Sequence, residues 1–202
     1  MDGIAGPAFG MWAAMMAAMM LPSVVPTLRV FAHASPGPTT GTAVATAAVA
    51  AGYLAVWLGF STAAAGLQAW LEAARWLSTT TGRLGPYPSA AVLAAAGLYQ
   101  WSLGKQTCLR HCRSPLSFIL SHWRPGVAGA AAFGVRHGLY CLGCCVFLMA
   151  LLFVGGVMSL AWMAALALLI LAEKTLPFGE ALARISGAAM IAGALGLLAL
   201  GG

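Results

Sequence analysis

Three thiols, an imidazole and a guanidinium fall within RHGLYCLGCC, the stretch from Arg136 to Cys145 at the edge of a long apolar run. On a helix advancing ~100° per residue, His137, Cys141, Cys144, Cys145 and Met149 lie within one arc of roughly 140°, because steps of three and four relate them. They form a stripe of imidazole, thiol and thioether donors. Such soft or borderline ligands favour Cu(I) or Zn(II) over Mg(II) or Ca(II), and the adjacent Arg136 favours thiolate over thiol. A second pair stands upstream in KQTCLRHCRSP, where Cys108 and Cys112 are four residues apart with His111 beside them. On a helix these sulfurs share a face; in a loop they still converge. Two thiols from each segment would make the closed tetrahedral arrangement usual for structural zinc. Two or three thiols alone would suit Cu(I), which needs fewer ligands.

The first apolar run carries another set of soft donors. Met11, Met15, Met16, Met19 and Met20 share one half of its helical circumference with Trp12, and Ala13, Ala14, Ala17 and Ala18 occupy the other. A methionine stripe usually means packing rather than ligation. The alanine half suits close packing on a neighbouring helix. If the thioether half lines a path, Met11, Met15 and Met19 become low-affinity relay positions, which Met158, Met163 and Met190 could join.

The elements that must position these residues are membrane helices. Of 202 residues, 61% are hydrophobic and 7% charged, against about a quarter charged in soluble domains, and mean hydropathy is +0.91. An integral membrane protein is therefore expected, all-α, a polytopic transmembrane bundle forming a single domain over residues 1–202. Apolar runs suggest six spans, at 9–31, 42–71, 88–103, 137–157, 159–174 and 181–200, with a polar segment at 104–125 between the third and fourth. Gly155 and Gly156 mark a reversal. Asp2 and the lack of a basic leader imply that the first run is retained.

A net charge of +6, from ten basic and four acidic residues, reads in such a chain as an orientation signal. Basic residues do not alternate with aromatic ones, so nucleic acid is excluded as a partner. The expected partners are lipid, a metal ion, and a metal donor, metal acceptor or other membrane subunit. The cluster Lys105, Arg110, Arg113, Arg124 and Arg136 puts the polar segment in the cytoplasm and both termini outside, as in a bacterial inner membrane. The thiols then face a reducing compartment, where structural disulfides are disfavoured. Arg110, Arg113 and Arg124 read as topology determinants and lipid-phosphate contacts, His33 and His122 as solvated or interfacial, and Glu173 with Lys174 as an interfacial pair. No nucleophile elbow, phosphate-binding glycine loop or paired carboxylate site is visible, so a binding protein is expected rather than an enzyme.

The run MWAAMMAAMMLPS, the GLYQW leading into KQTCLRHCRSP, then RHGLYCLGCC, GVMSLAWM and the EK pair together resemble the domain-of-unknown-function family numbered 2182. Its members are described as predicted metal-binding integral membrane proteins, some labelled copper chaperones. The matching positions are Met11, Met15, Met19 and Met20, then Lys105, Cys108, His111, Cys112 and Arg113, then His137, Cys141, Cys144 and Cys145. Departures are LGK at 103–105, Val146 and Ser159; none touches a thiol.

The expected function is binding of a soft metal, copper as Cu(I) first and zinc second, for transport or for transfer to a partner. Cys141, Cys144 and Cys145 are the expected core ligands, with Cys108, Cys112, His137 and His111 contributing. A membrane thiol redox protein and a structural or assembly subunit are the alternatives.

Overall fold

Long runs of Ala, Leu, Gly and Val leave the backbone little to bond with except itself, and a helix satisfies it within one segment. The structure is a computed structural model that describes residues 2–34, 39–114, 119 and 124–200. His122 and part of the 104–125 segment lie outside these. The helices are α1 (Asp2–Ala34), α2 (Thr39–Ala73), α3 (Pro86–Gln100), α4 (Leu103–Arg113), α5 (Gly126–Ala150), α6 (Leu160–Thr175) and α7 (Gly179–Leu200), with one further turn at Leu152–Gly155 after α5.

Among the described residues, four stretches are long and apolar enough to cross a membrane: Pro7–Ala34, Gly41–Ala73, Gly126–Gly155 and Gly179–Ala199. The expectation of six spans is corrected accordingly. Helices α3 and α6 have only 15 and 16 residues, and at ~1.5 Å per residue they fall short of a hydrocarbon core ~30 Å thick. Local chemistry cuts them. Pro86 opens α3 directly after Gly85, and Ser102 closes it by capping the next helix. Gly156, at φ 99°, separates α5 from α6, and Pro177 follows the end of α6. Part of the polar segment is itself helical. In α4, Ser102 Oγ accepts from the Lys105 amide at 3.1 Å, and Lys105, Cys108, Leu109 and Cys112 share the face packed on the bundle.

Glycines set how closely the bundle packs. A Cβ on Gly52 would overlap the Ala131 carbonyl, and one on Gly134 the Val49 carbonyl, so the backbones of α2 and α5 touch. Gly138, one turn further along α5, takes the Val56 side chain of α2. The two helices therefore run parallel and bring Tyr53 against His137 and Cys141. Helix α1 runs opposite to both, with Trp12 Nε1 donating to Gln68 at 2.7 Å and Met20 beside Tyr53. Gly97 and Gly187 allow a similar close approach of α3 and α7.

Polarity is inverted relative to a soluble core. Large apolar side chains such as Leu160, Leu168, Ile185 and Leu195 are exposed, while Gln100, Lys105, His137, Glu173 and Lys174 are buried. Both features fit a bilayer around the bundle. On α1 the thioether half faces inward: Met15, Met16, Met19 and Met20 are buried with Trp12, and Ala14 and Ala18 are exposed. The alanine half does not form the helix contact that its small size suggested, because the bulky face fills the interior left by Tyr53, Trp57 and Phe153.

Replacing Gly134 by Ala should destabilise the protein by about 1–3 kcal/mol through backbone overlap. Gly59→Ala, which meets nothing within 4 Å, should be neutral or slightly stabilising. Thermal unfolding of the two variants in detergent compares them.

Candidate metal centre

Cys141 lies at the middle of the bundle, 1% exposed. From α6, Lys174 Nζ donates to its sulfur at 2.8 Å. From α2, Tyr53 shares a hydrogen bond with it at 3.1 Å, while the same hydroxyl reaches the Met20 carbonyl at 3.2 Å. Ser23 links this group back to α1, 3.4 Å from Lys174 Nζ and 3.2 Å from the Tyr53 hydroxyl. Pro22 and Pro26 interrupt the backbone ladder of α1 here. Hydroxyls from Ser and from a neighbouring helix are what make such interruptions tolerable inside an apolar bundle.

Cys144 and Cys145 follow on the same stripe, also buried, and their thiols turn back to the Cys141 carbonyl at 3.1 and 2.8 Å. The fourth thiol comes from α4. Cys112 packs against the buried cluster that holds Cys141 and Cys144. The sequence left open whether the upstream pair meets the stripe; the tertiary structure brings it there. Gly143 is the reason α4 fits, since a Cβ there would stand 3.0 Å from the Cys108 sulfur, and Tyr99 donates to the Gly143 carbonyl at 2.6 Å. Among the described residues, no three His, Cys, Asp or Glu side chains stand ready-made to hold a metal ion. The sulfurs are neighbours, but Cys144 and Cys145 must leave the Cys141 carbonyl before they can ligate.

The imidazoles divide. His137 is buried between the rings of Tyr53 and Phe133, with Nε2 3.4 Å from the Thr27 hydroxyl. His111 stacks on Tyr140 at 4.6 Å, and its Nδ1 pairs with the Thr107 carbonyl of its own helix. Met11 is half-buried, and Met15 and Met19 are buried in the α1 face toward Trp57 and Phe153. Met163 and Met190 pack at the core edge, but Met158 is 61% exposed and lies away from any interior route.

Several polar contacts were not legible in advance. Glu173 and Lys174 are not an interfacial pair: both are buried and point to different partners. Glu173 takes Lys105 Nζ at 2.7 Å and Gln100 Nε2 at 2.8 Å, and Gln100 continues to Ser186 at 3.0 Å. Lys105, expected as an orientation charge, is 1% exposed in that ion pair. Arg110 pairs with Glu180, and Arg113 donates to the Leu176 and Pro177 carbonyls at the end of α6. These contacts seat α4, and with it Cys108 and Cys112, over the stripe. The only signal was that a Lys and a Glu stood within apolar helical sequence, where ionisable groups are costly and seek partners.

Burial, aided by Cys144, pushes the Cys108 thiol up, and hydrogen bonding with Cys141 and Cys144 together with burial pushes the Cys112 thiol well above its ordinary range. Both are thus protonated at rest near neutral pH, and any metal taken there displaces protons.

Residues 9–197 match the PpoB2 family, described as a copper chaperone. No curated protein and no solved structure matches the chain.

Breaking the buried pair from one side, by Glu173→Gln or Lys105→Met, should cost about 3–5 kcal/mol. The double substitution should cost less than the sum, read by a thermal double-mutant cycle. Because the Cys108 thiol is raised, its alkylation by iodoacetamide should be slow at neutral pH and keep accelerating beyond the ordinary thiol range of about 8.5, followed by peptide mass.

Proposed function

We propose that this chain, which belongs to the PpoB2 copper-chaperone family, is a membrane protein that takes up Cu(I) on the thiols shared between α4 and α5 and passes it on. The observation that carries the reading is the packing of Cys112, on α4, against the cluster that holds Cys141 and Cys144 on α5. Thiols on two separate elements can pass a metal by ligand-by-ligand exchange, which lets a site hold firmly yet release. Cys112, Cys141 and Cys144 are the first ligands, Cys145 completes the stripe, and Cys108 stands outermost. His137 and His111 contribute from either side, and Met11, Met15 and Met19 are weak relay positions along α1.

Charge favours Cu(I) over Zn(II). A Cu(I) ion on two of these sulfurs as thiolates, with the third kept as a neutral thiol, carries one net negative charge, and the Lys174 ammonium 2.8 Å from Cys141 balances it. Four thiolates around Zn(II) carry two, and one would remain unanswered in a low-dielectric interior where an unpaired ion costs several kcal/mol. The four membrane-length helices fit a bilayer location. The basic residues around α4 put that end in the cytoplasm, and the chain's route of transfer is across or along the bilayer to a partner.

Metal content per chain, measured after anaerobic purification in detergent, tests the reading. About one copper per chain is expected in the wild type and none when Cys141→Ser, Cys144→Ser and Cys145→Ser are combined. Zinc in place of copper would mean a closed structural site. No metal in either form after Cu(I) and Zn(II) are supplied would end the metal reading.

A further inference from the structure

Cys108 differs from the thiols of the stripe in its access. It lines an open cavity of about 490 Å³ whose other described walls are Arg136, Leu139 and Tyr140, whereas Cys141, Cys144 and Cys145 are buried. Volumes of this order take a small molecule rather than a protein surface. Tyr140, backed by the stacked His111 ring, and Leu139 make its apolar side. Arg136 makes its charged side, and no carboxylate among the described side chains answers it. Glu173 is taken by Lys105, Glu180 by Arg110, and Glu72 accepts from Gln68. Arg136 also flanks a smaller recess, of about 70 Å³, together with Arg124 and Phe133. Arg136 therefore borders both the cavity beside Cys108 and the recess it shares with Arg124, and a guanidinium so placed suits a carboxylate. Inward, the Cys108 sulfur rests against Gly143 and is electrostatically coupled to Cys144, so the cavity opens directly onto the thiol cluster.

We propose that this cavity is where copper arrives, carried as Cu(I) on a small anionic thiol: Arg136 holds the carrier's carboxylate and Cys108 takes the metal. The inference rests on the copper reading above and adds the donor's chemical class and the residue that recognises it. The step is thiol exchange on the metal. A Cys108 sulfur–copper bond forms, the carrier's sulfur–copper bond breaks, the Cys108 proton goes to the departing carrier sulfur, and copper remains Cu(I) throughout. No oxidant or reductant is needed. From Cys108 the ion passes to Cys144 and Cys112 by the same exchange.

Two measurements on the full chain in detergent test this, and one needs no copper. Iodoacetate and iodoacetamide differ by one negative charge, so the ratio of their rates at Cys108, read by peptide mass, reports the local potential. Arg136→Gln should lower that ratio about three- to tenfold, Arg136→Glu further, and Arg136→Lys should largely restore it. With Cu(I) supplied on glutathione, Arg136→Gln should slow uptake by a similar factor and leave equilibrium affinity, set against a chromophoric Cu(I) chelator, unchanged. An alkylation ratio indifferent to Arg136 would overturn the anion site. So would equal uptake rates in wild type and Arg136→Glu. If the wild type takes no Cu(I) from glutathione or from the chelator, the copper reading falls and the delivery step with it, while the alkylation ratio separately reports whether the anion site exists.

Discussion

Two consecutive ionisable residues near the end of α6 must both be paired in an apolar interior. An isolated charge there costs several kcal/mol, and neighbouring side chains on a helix point about 100° apart, so Glu173 and Lys174 cannot serve one partner. Glu173 reaches Lys105 on α4 and Gln100 on α3. Lys174 reaches Cys141 on α5 and Ser23 on α1. One short helix thereby ties four others together, and it joins the two cysteine-bearing elements to each other. The thiol cluster is held in place by this pair of charges.

That arrangement depends on close helix approach, which side-chain size controls. Gly52, Gly134 and Gly138 bring α2 and α5 together until Tyr53 can touch Cys141. Gly143 leaves room for Cys108, so α4 lies flat against α5. A membrane bundle gains little from hydrophobic exclusion between helices, and contact of this kind with satisfied polar groups takes its place. The same glycine-lined stripe that carries the thiols is the stripe along which the helices meet, so packing and the proposed metal chemistry share one surface.

The contacts of the thiols also define what the proposed ligation would have to change. Cys144 and Cys145 are turned to a backbone carbonyl, Cys141 is engaged by an ammonium, and the α4 thiols are held protonated. Under the proposed function, thiols satisfied in this way would each be released singly as copper replaces a hydrogen bond. A cluster already open would expose unsatisfied sulfur in the bundle core, or bind too firmly to give the metal up.

Much of this was legible in the linear chain. Long apolar runs in a 7% charged, 61% hydrophobic chain imply helices, which satisfy the backbone within each segment, and the described residues are helical in that way. Steps of three and four put His137, Cys141, Cys144 and Cys145 on one face, and helical periodicity is a property of the backbone whatever the neighbours are. The inward face of the α1 methionines and the lengths of α3 and α6 were not legible: which side of an evenly apolar helix faces inward, and where a short apolar run stops short of a span, depend on partners and caps far away in sequence. Nor could a linear reading tell that Cys112 packs beside Cys141, that Lys105 belongs to Glu173, or that Arg136 lines the same cavity as Cys108. Those are juxtapositions across 28 to 68 residues, decided by glycine-controlled helix approach and by the need of each buried charge for a partner, and only the folded bundle brings such partners within reach.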